Sequence, residues 1–221
     1  MTIKLYKVVA AGIANSGKSS VLNALTGKRD IFPVGDVPRI TRGIKRYTSG
    51  NLLLVDTPGL DADNADTRKQ MIEILSADTV LWCHNLRKGE LGAVEVDALK
   101  QYAKDTQAIW RTCFVLTNGD NLANYKVICE TTSAIATQLQ QIFNLRFIAV
   151  GEKVNGGTEK RPRPFNVVCI ERYWRGKMAN SGTTNKWQHL SGVPKLRKFL
   201  DNLAGKYVHK TFAVDTFEND N

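Results

Sequence analysis

The chain has 221 residues, 43% hydrophobic and 24% charged, with a net charge of +10, the balance of a soluble globular protein of about one domain. No apolar run approaches the roughly 20 residues of a membrane helix. Lys4 and Lys7 break the first apolar stretch where a signal peptide needs a continuous core, so the reading excludes an integral membrane segment and places the protein in the cytoplasm.

In chain order, residues 4–11 form a short β-branched apolar segment running into Gly12, and residues 18–25 take up helical spacing that Gly27 stops. A polar stretch bearing Gly and Pro covers residues 28–42. A hairpin follows, with arms at 44–48 and 52–55 around Ser49-Gly50-Asn51. Residues 79–83 and 113–117 read as buried strands separated by an amphipathic helix at 94–103. Residues 125–143 read as a further helix and 146–150 as the next strand. Strands alternating with helices predict an α/β fold, a mostly parallel sheet covered on both faces, with ligands beyond the carboxyl ends of its strands.

From 152 to 191 the periodicity is lost, apart from residues 165–170, which suit one extra strand, and this stretch is read as a basic insertion. A closing helix is expected at 193–204, with Pro194 in its first turn, and a disordered tail at 213–221. Residues 1–221 are thus read as a single domain. Lys and Arg outnumber Asp and Glu by 18 to 14 over residues 1–150 and by 13 to 7 over residues 151–221. The C-terminal third is the more basic per residue, which fits a polyanionic partner or a plain solvated loop. Cys83, Cys113, Cys129 and Cys169 form no Cys-x-x-Cys pair and are read as reduced thiols, and His84, His189 and His209 lack metal-ligand spacing.

Three segments carry chemistry. Residues 12–19, Gly-Ile-Ala-Asn-Ser-Gly-Lys-Ser, form a full Walker A sequence between a strand and a helix. Its backbone amides, with Gly12, Asn15, Ser16, Gly17 and the following Ser20 in the loop and helix start, can wrap phosphates at a helix N-terminus. Lys18 supplies a charge to the β- and γ-phosphates, and the Ser19 hydroxyl can ligate Mg²⁺. Asp56-Thr57-Pro58-Gly59 follows the apolar strand at 52–55, so Asp56 emerges at the same sheet edge. It can hold the Mg²⁺ shell, and Gly59 can offer its amide to the γ-phosphate. Thr117-Asn118-Gly119-Asp120 ends the strand at 113–117, where a base-recognition loop belongs. The Asp120 carboxylate can accept two hydrogen bonds from guanine, although the tetrapeptide also suits a simple Asn-Gly turn.

Residues 12–19, Thr41, residues 56–59 and Asp120 resemble the first four motifs of the translation-factor-related (TRAFAC) GTPases, particularly their bacterial Era and TrmE-like branch. Asn-Ser-Gly-Lys-Ser-Ser-Val-Leu-Asn-Ala-Leu at 15–25 and Asp-Val-Pro-Arg-Ile-Thr-Arg at 36–42 carry the local likeness. The resemblance implies a three-layer domain with a six-stranded sheet, one strand antiparallel, and GTP and GDP as ligands. It assigns Thr41 to Mg²⁺ and the γ-phosphate, and Asn15 to a K⁺ ion beside the phosphates, a position that equally suits a turn Asn.

The chain departs from that pattern in two places. Thr117 and Asn118 replace the Asn and Lys of the usual guanine motif. No Ser-Ala motif follows the next strand, so Gly151 is the positional candidate for base contact. Leu60 stands where Ras-like members carry a water-positioning Gln, which predicts slow hydrolysis.

The leading expectation is therefore Mg²⁺-dependent GTP hydrolysis used as a slow switch, with mobile loops at about 29–46 and 60–75 and a nucleotide-dependent dimer left open as an assembly. A nucleotide-gated module that binds RNA, a ribosome or an effector protein through the basic insertion is the second. Residues 152–190 hold eight Lys or Arg against three acids, with Phe165, Tyr173, Trp174 and Trp187 among them, and these aromatics can also pack back on the domain. An ATP-dependent enzyme is the third, and it leaves Thr41, Asp56 and Asp120 without a joint explanation.

Overall fold

In the computed structural model, residues 5–35, 43–60, 64–105, 108–119, 125–143, 166–167, 173–174 and 191–217 are described. β1 (Tyr6–Ala11) leads into α1 (Lys18–Thr26), and the hairpin of β2 (Lys45–Ser49) and β3 (Leu52–Asp56) follows. Next come α2 (Asn64–Leu75), β4 (Thr79–Asn85), α3 (Ala93–Tyr102), the single turn α4 (Ala108–Arg111), β5 (Thr112–Thr117) and α5 (Tyr125–Ile142). The chain closes with β6 (Asn166–Val167) and α6 (Val193–Phe217).

The sheet has six strands in the order β2-β3-β1-β4-β5-β6. β2 runs antiparallel to β3, while the β3, β1, β4, β5 and β6 neighbours are parallel, as expected. The central strands are apolar on both faces because helices cover both. In β1, Val9 and Ala11 pack beneath α2, α3 and α5 with Trp82, Leu99, Phe114 and Leu139. Tyr6, Val8 and Ala10 face α1 and α6, with Leu22, Leu25, Leu196 and Leu200. Period-two alternation along one strand thus feeds two cores. Cys83 and Cys113 are buried free thiols in the second of them, as read; burial pushes the Cys83 thiol up to about 12.

Differences from the expected boundaries have local causes. The sheet position beside β5 is held by Asn166–Val167, inside the stretch read as an insertion. Residues 146–150, to which the sixth strand was assigned, lie outside the described residues. The positional argument for Gly151 rested on that strand, and Gly151 too lies outside them. α2 was not expected as a helix, because its polar first half masks the period that Met71, Ile74 and Leu75 begin to show. α6 continues to Phe217 rather than ending at 204, and so includes residues 213–217, expected in the tail. Gly205, which looks like a stop, sits within this helix at a cost of about 1 kcal/mol relative to Ala. Among the described residues no helix is long and apolar enough to cross a membrane.

Candidate functional site

The carboxyl ends of β1, β3, β4 and β5 converge on one edge, and the residues with phosphate and metal chemistry meet there. β1 ends at Ala11 and the chain turns at Gly12, whose φ of 137° suits glycine. A Cβ on Gly12 would lie 2.4 Å from the Cys83 carbonyl oxygen and 2.8 Å from Ser16 Oγ, so no other residue fits between β4 and the loop. Gly17 is left-handed with φ 87°, and a Cβ there would stand 3.0 Å from Thr117 Cγ2 and Oγ1.

α1 therefore starts from a glycine cap, with no side-chain cap and no acidic residue in its first turn. Its N-terminal amides point at the loop that precedes it, an arrangement that receives anions. Lys18 is buried and its ammonium curls into the loop, donating to the carbonyls of Ile13 at 2.8 Å and Gly12 at 3.2 Å. A phosphate in the cradle would draw the same ammonium outward as a counter-charge. Ser20 follows, half-buried, in the first turn of α1.

Ser19 and Asp56 form the second part of the site. The Ser19 hydroxyl donates to Asp56 Oδ2 at 2.7 Å. Asp56 is fully buried, and among the described residues its Oδ1 has no hydrogen-bond partner. A sealed carboxylate oxygen of this kind calls for water or a cation. Burial pushes the carboxyl up to about 6 from 3.8, against the opposing pull of the Ser19 hydroxyl and the Lys18 and Lys45 charges. A hydroxyl and a carboxylate side by side are the hard oxygen donors that Mg²⁺ takes, so these residues fit the ion. Thr57 fixes the start of the next loop by donating from Oγ1 to the Ala10 carbonyl at 2.7 Å.

Gly59 accepts a bond from Gln70 Nε2 at 3.4 Å, and the Leu60 amide donates to the Gly12 carbonyl at 3.2 Å. The Leu60 side chain is buried in the core with Ile74 and Trp82. It serves packing and has no means of orienting water.

Thr117 closes the site from β5. Its hydroxyl lies 2.9 Å from the Ser16 carbonyl and 3.2 Å from that of His84, and it accepts from Asn118 Nδ2 at 3.3 Å. Thr117, which departs from the usual guanine motif, thus ties the end of β5 to the loop at residues 12–19. Asn15 and Asn118 are the non-glycine residues with positive φ among those described, each at 58°. Left-handed backbone favours Asn, which accounts for Asn15 as a turn residue. Thr41, Asp120 and Gly151 lie outside the described residues.

Sequence reasoning missed residues at the end of β4 and in the turn after it. Asn85 Nδ2 donates to the Asn15 carbonyl at 3.2 Å, and Lys88 Nζ to the Ala14 carbonyl at 3.1 Å. The polar Asn-Leu-Arg-Lys break after a buried strand, at the edge where the other motifs fall, was the available signal. His84, which lacks metal-ligand spacing in the sequence, is buried. Its Nδ1 lies 2.8 Å from Glu95 Oε2 and its Nε2 2.8 Å from the Gly89 carbonyl, while Trp82 Nε1 donates to Glu95 Oε1 at 3.1 Å. From the basic stretch, Tyr173 and Trp174 stack edge to face at 5.0 Å against the α1 and α6 core, and Arg29 lies 5.0 Å over the Trp174 ring. These two aromatics pack back on the domain; Trp187 lies outside the described residues.

The comparisons with known proteins agree with this geometry. The model of a family described as 50S ribosome-binding GTPase matches residues 7–118. An uncharacterised protein of Acinetobacter baylyi is 34% identical over 139 residues, 61% of this chain and 33% of that protein. The probable GTP-binding protein EngB of Ruegeria pomeroyi is 33% identical over 59% of this chain and 64% of its own length. The tRNA modification GTPase MnmE of Shewanella baltica is 39% identical over 47% of this chain and 22% of its own length. The chain thus spans less than two thirds of each of these relatives. Among solved structures, Toc33 of Arabidopsis thaliana in complex with Mg²⁺ and GMPPNP superposes with a TM-score of 0.63 at 16% identity, covering 92% of this chain and 86% of Toc33. At that identity the likeness concerns the fold.

Proposed function

Because the chain belongs to the 50S ribosome-binding GTPase family, matched over residues 7–118, we propose that it binds GTP and hydrolyses it to GDP and phosphate as a slow, Mg²⁺-dependent switch. The observation that carries the reading is the Ser19–Asp56 pair, 2.7 Å apart with one carboxylate oxygen sealed and without a described partner, at the mouth of a glycine-capped helix. A Mg²⁺ ion held there would neutralise charge building on the β- and γ-phosphate oxygens. Lys18 adds a fixed cation, and the amides of the loop and of Gly59 receive the phosphoryl oxygens. Thr41 completes the ion's ligands in the GTP state, and Asp120 selects guanine through paired acceptance from its N–H groups.

Hydrolysis is slow because Leu60 is a core residue. Asn15 is the proposed ligand of a K⁺ ion supplying part of the charge that an arginine finger gives elsewhere, an effect worth about 10³ to 10⁵ in rate when complete. Single-domain organisation over residues 1–221 and cytoplasmic residence belong to the same proposal. So does the use of the basic residues between 152 and 190 to hold RNA, a ribosomal surface or an effector protein. A nucleotide-dependent dimer is a further proposed assembly.

The deciding experiment is turnover of GTP and ATP with Mg²⁺ and with EDTA, in KCl and NaCl at equal ionic strength. GTP turnover that requires Mg²⁺ and runs severalfold faster in KCl is the expected result, with Asn15→Ala removing the salt difference. Equal rates in the two salts would remove the K⁺ role alone. Equal use of ATP would remove guanine selection.

A further inference from the structure

We propose that Asn85, the last residue of β4, and Lys88, in the short 3-10 turn that follows it, position the phosphate-binding loop for the nucleotide's outer phosphates; the inference rests on the reading of residues 12–19 as that loop. In a planar trans peptide the C=O and N–H point in opposite directions. A donor that holds a carbonyl from one side therefore turns the amide of the next residue toward the other.

Three consecutive carbonyls of the loop are held in this way. Lys88 Nζ bonds the Ala14 oxygen at 3.1 Å, Asn85 Nδ2 the Asn15 oxygen at 3.2 Å, and Thr117 Oγ1 the Ser16 oxygen at 2.9 Å. The amides aimed by these contacts belong to Asn15, Ser16 and Gly17. Ser16 N–H closes a turn on the Ile13 carbonyl at 3.3 Å, so the Asn85 contact shapes the loop through that turn, and the amides left to the phosphates are those of Asn15 and Gly17, which point away from the residues that hold their peptides. Each donor also polarises the peptide it binds, which makes the opposite N–H a stronger donor.

The clamp is anchored in the core. Asn85 uses its second side-chain atom, Oδ1, to accept from the Arg87 amide at 3.0 Å, capping the short 3-10 turn Leu86–Lys88. Leu86 is buried in the core beneath that turn. Beyond it, the Gly89 carbonyl is fixed by His84, whose ring is held by the buried Glu95. Asn85 and Lys88 make their contacts at exposed positions, where water would satisfy the Ala14 and Asn15 carbonyls equally well. Their contribution therefore goes to orientation of the loop far more than to folding stability.

Three variants test this. Asn85→Ser keeps an acceptor for the 3-10 turn and is too short to reach Asn15. Lys88→Met removes the donor, and Lys88→Arg restores one. Affinities for GDP and GMP are measured with the full chain, because GMP lacks the β-phosphate that the aimed amides would receive. Asn85→Ser and Lys88→Met should each weaken GDP about threefold to tenfold, the worth of one hydrogen bond, while GMP changes less than about twofold and Lys88→Arg recovers the parent value. Equal losses for GDP and GMP, or no loss for either, would overturn the clamp. A parent chain that binds neither GDP nor GTP would instead remove the nucleotide site, and the clamp with it.

Discussion

Replacing Thr117 with Val preserves the shape of the side chain and deletes one hydroxyl, and the structure allows the loss to be sized. Oγ1 lies within 2.9 Å of the Ser16 carbonyl and 3.2 Å of the His84 carbonyl, in a residue only 1% exposed. Its single proton serves one of these acceptors at a time. In the variant both carbonyls face a methyl group, and water has no ready access to replace the donor. A buried acceptor stripped of its donor costs about 1–3 kcal/mol, so the unfolding free energy of nucleotide-free protein should fall by about 2 kcal/mol. On the proposed reading of residues 12–19 as a phosphate loop and residues 117–120 as a base loop, GDP affinity should fall too, by about tenfold. Urea denaturation in EDTA and equilibrium binding of a fluorescent GDP read the two effects, and Thr117→Ser should restore most of both. If Thr117→Val unfolds within about 0.5 kcal/mol of the parent and binds GDP equally, the hydroxyl does not tie the two loops and the reasoning fails.

Three further outcomes are expected. Gly17→Ala should weaken GDP binding by tenfold or more on the order of the strain in a left-handed non-glycine residue, because its Cβ would stand 3.0 Å from Thr117; isothermal titration reads the loss. Asp120→Asn should lower GTP affinity and shift preference toward xanthine nucleotide, measured by competition. Burial pushes the Glu73 carboxyl up, but its bonds and charge contacts with Lys7 and Arg46 outweigh this and hold it below its ordinary 4.5. A lowered carboxyl contributes stability above 4.5 that is lost as pH falls through its folded value. Denaturation midpoints taken from pH 6 down to pH 3 should therefore fall less steeply for Glu73→Gln than for the parent.

Where local pattern and tertiary demand coincide, the fold was legible. β1, β4 and β5 are buried on both faces and read as continuous apolar runs, and α1 ends at Gly27, whose left-handed φ of 70° places its amide on the Ala24 and Asn23 carbonyls. The placement of residues 12–19 and Asp56 at the ends of β1 and β3 was legible, because a phosphate-binding chemistry demands those residue types at a strand end. The sixth strand was legible in part: residues 165–170 suited an extra strand and Asn166–Val167 falls within them, but the apolar signal at residues 146–150 drew the sixth position away from it. Gly205 hid the length of α6, as helix propensity yields to context. Asn85 and Lys88 escaped notice because they act on backbone carbonyls, which leave no mark in a side-chain pattern. Thr117 looked like a weakened motif, and the bond from its hydroxyl to the Ser16 carbonyl left no mark in the sequence.

The most direct test of the central claim is release of inorganic phosphate from GTP by the parent chain and by Ser19→Asn, with Mg²⁺ or EDTA and with ATP as the competing substrate. The account predicts slow, Mg²⁺-dependent release from GTP, little from ATP, and loss of release in Ser19→Asn while GDP still binds, because the hydroxyl 2.7 Å from Asp56 is the proposed metal ligand. Release from GTP by Ser19→Asn at the parent rate, or release that persists in EDTA, would contradict it.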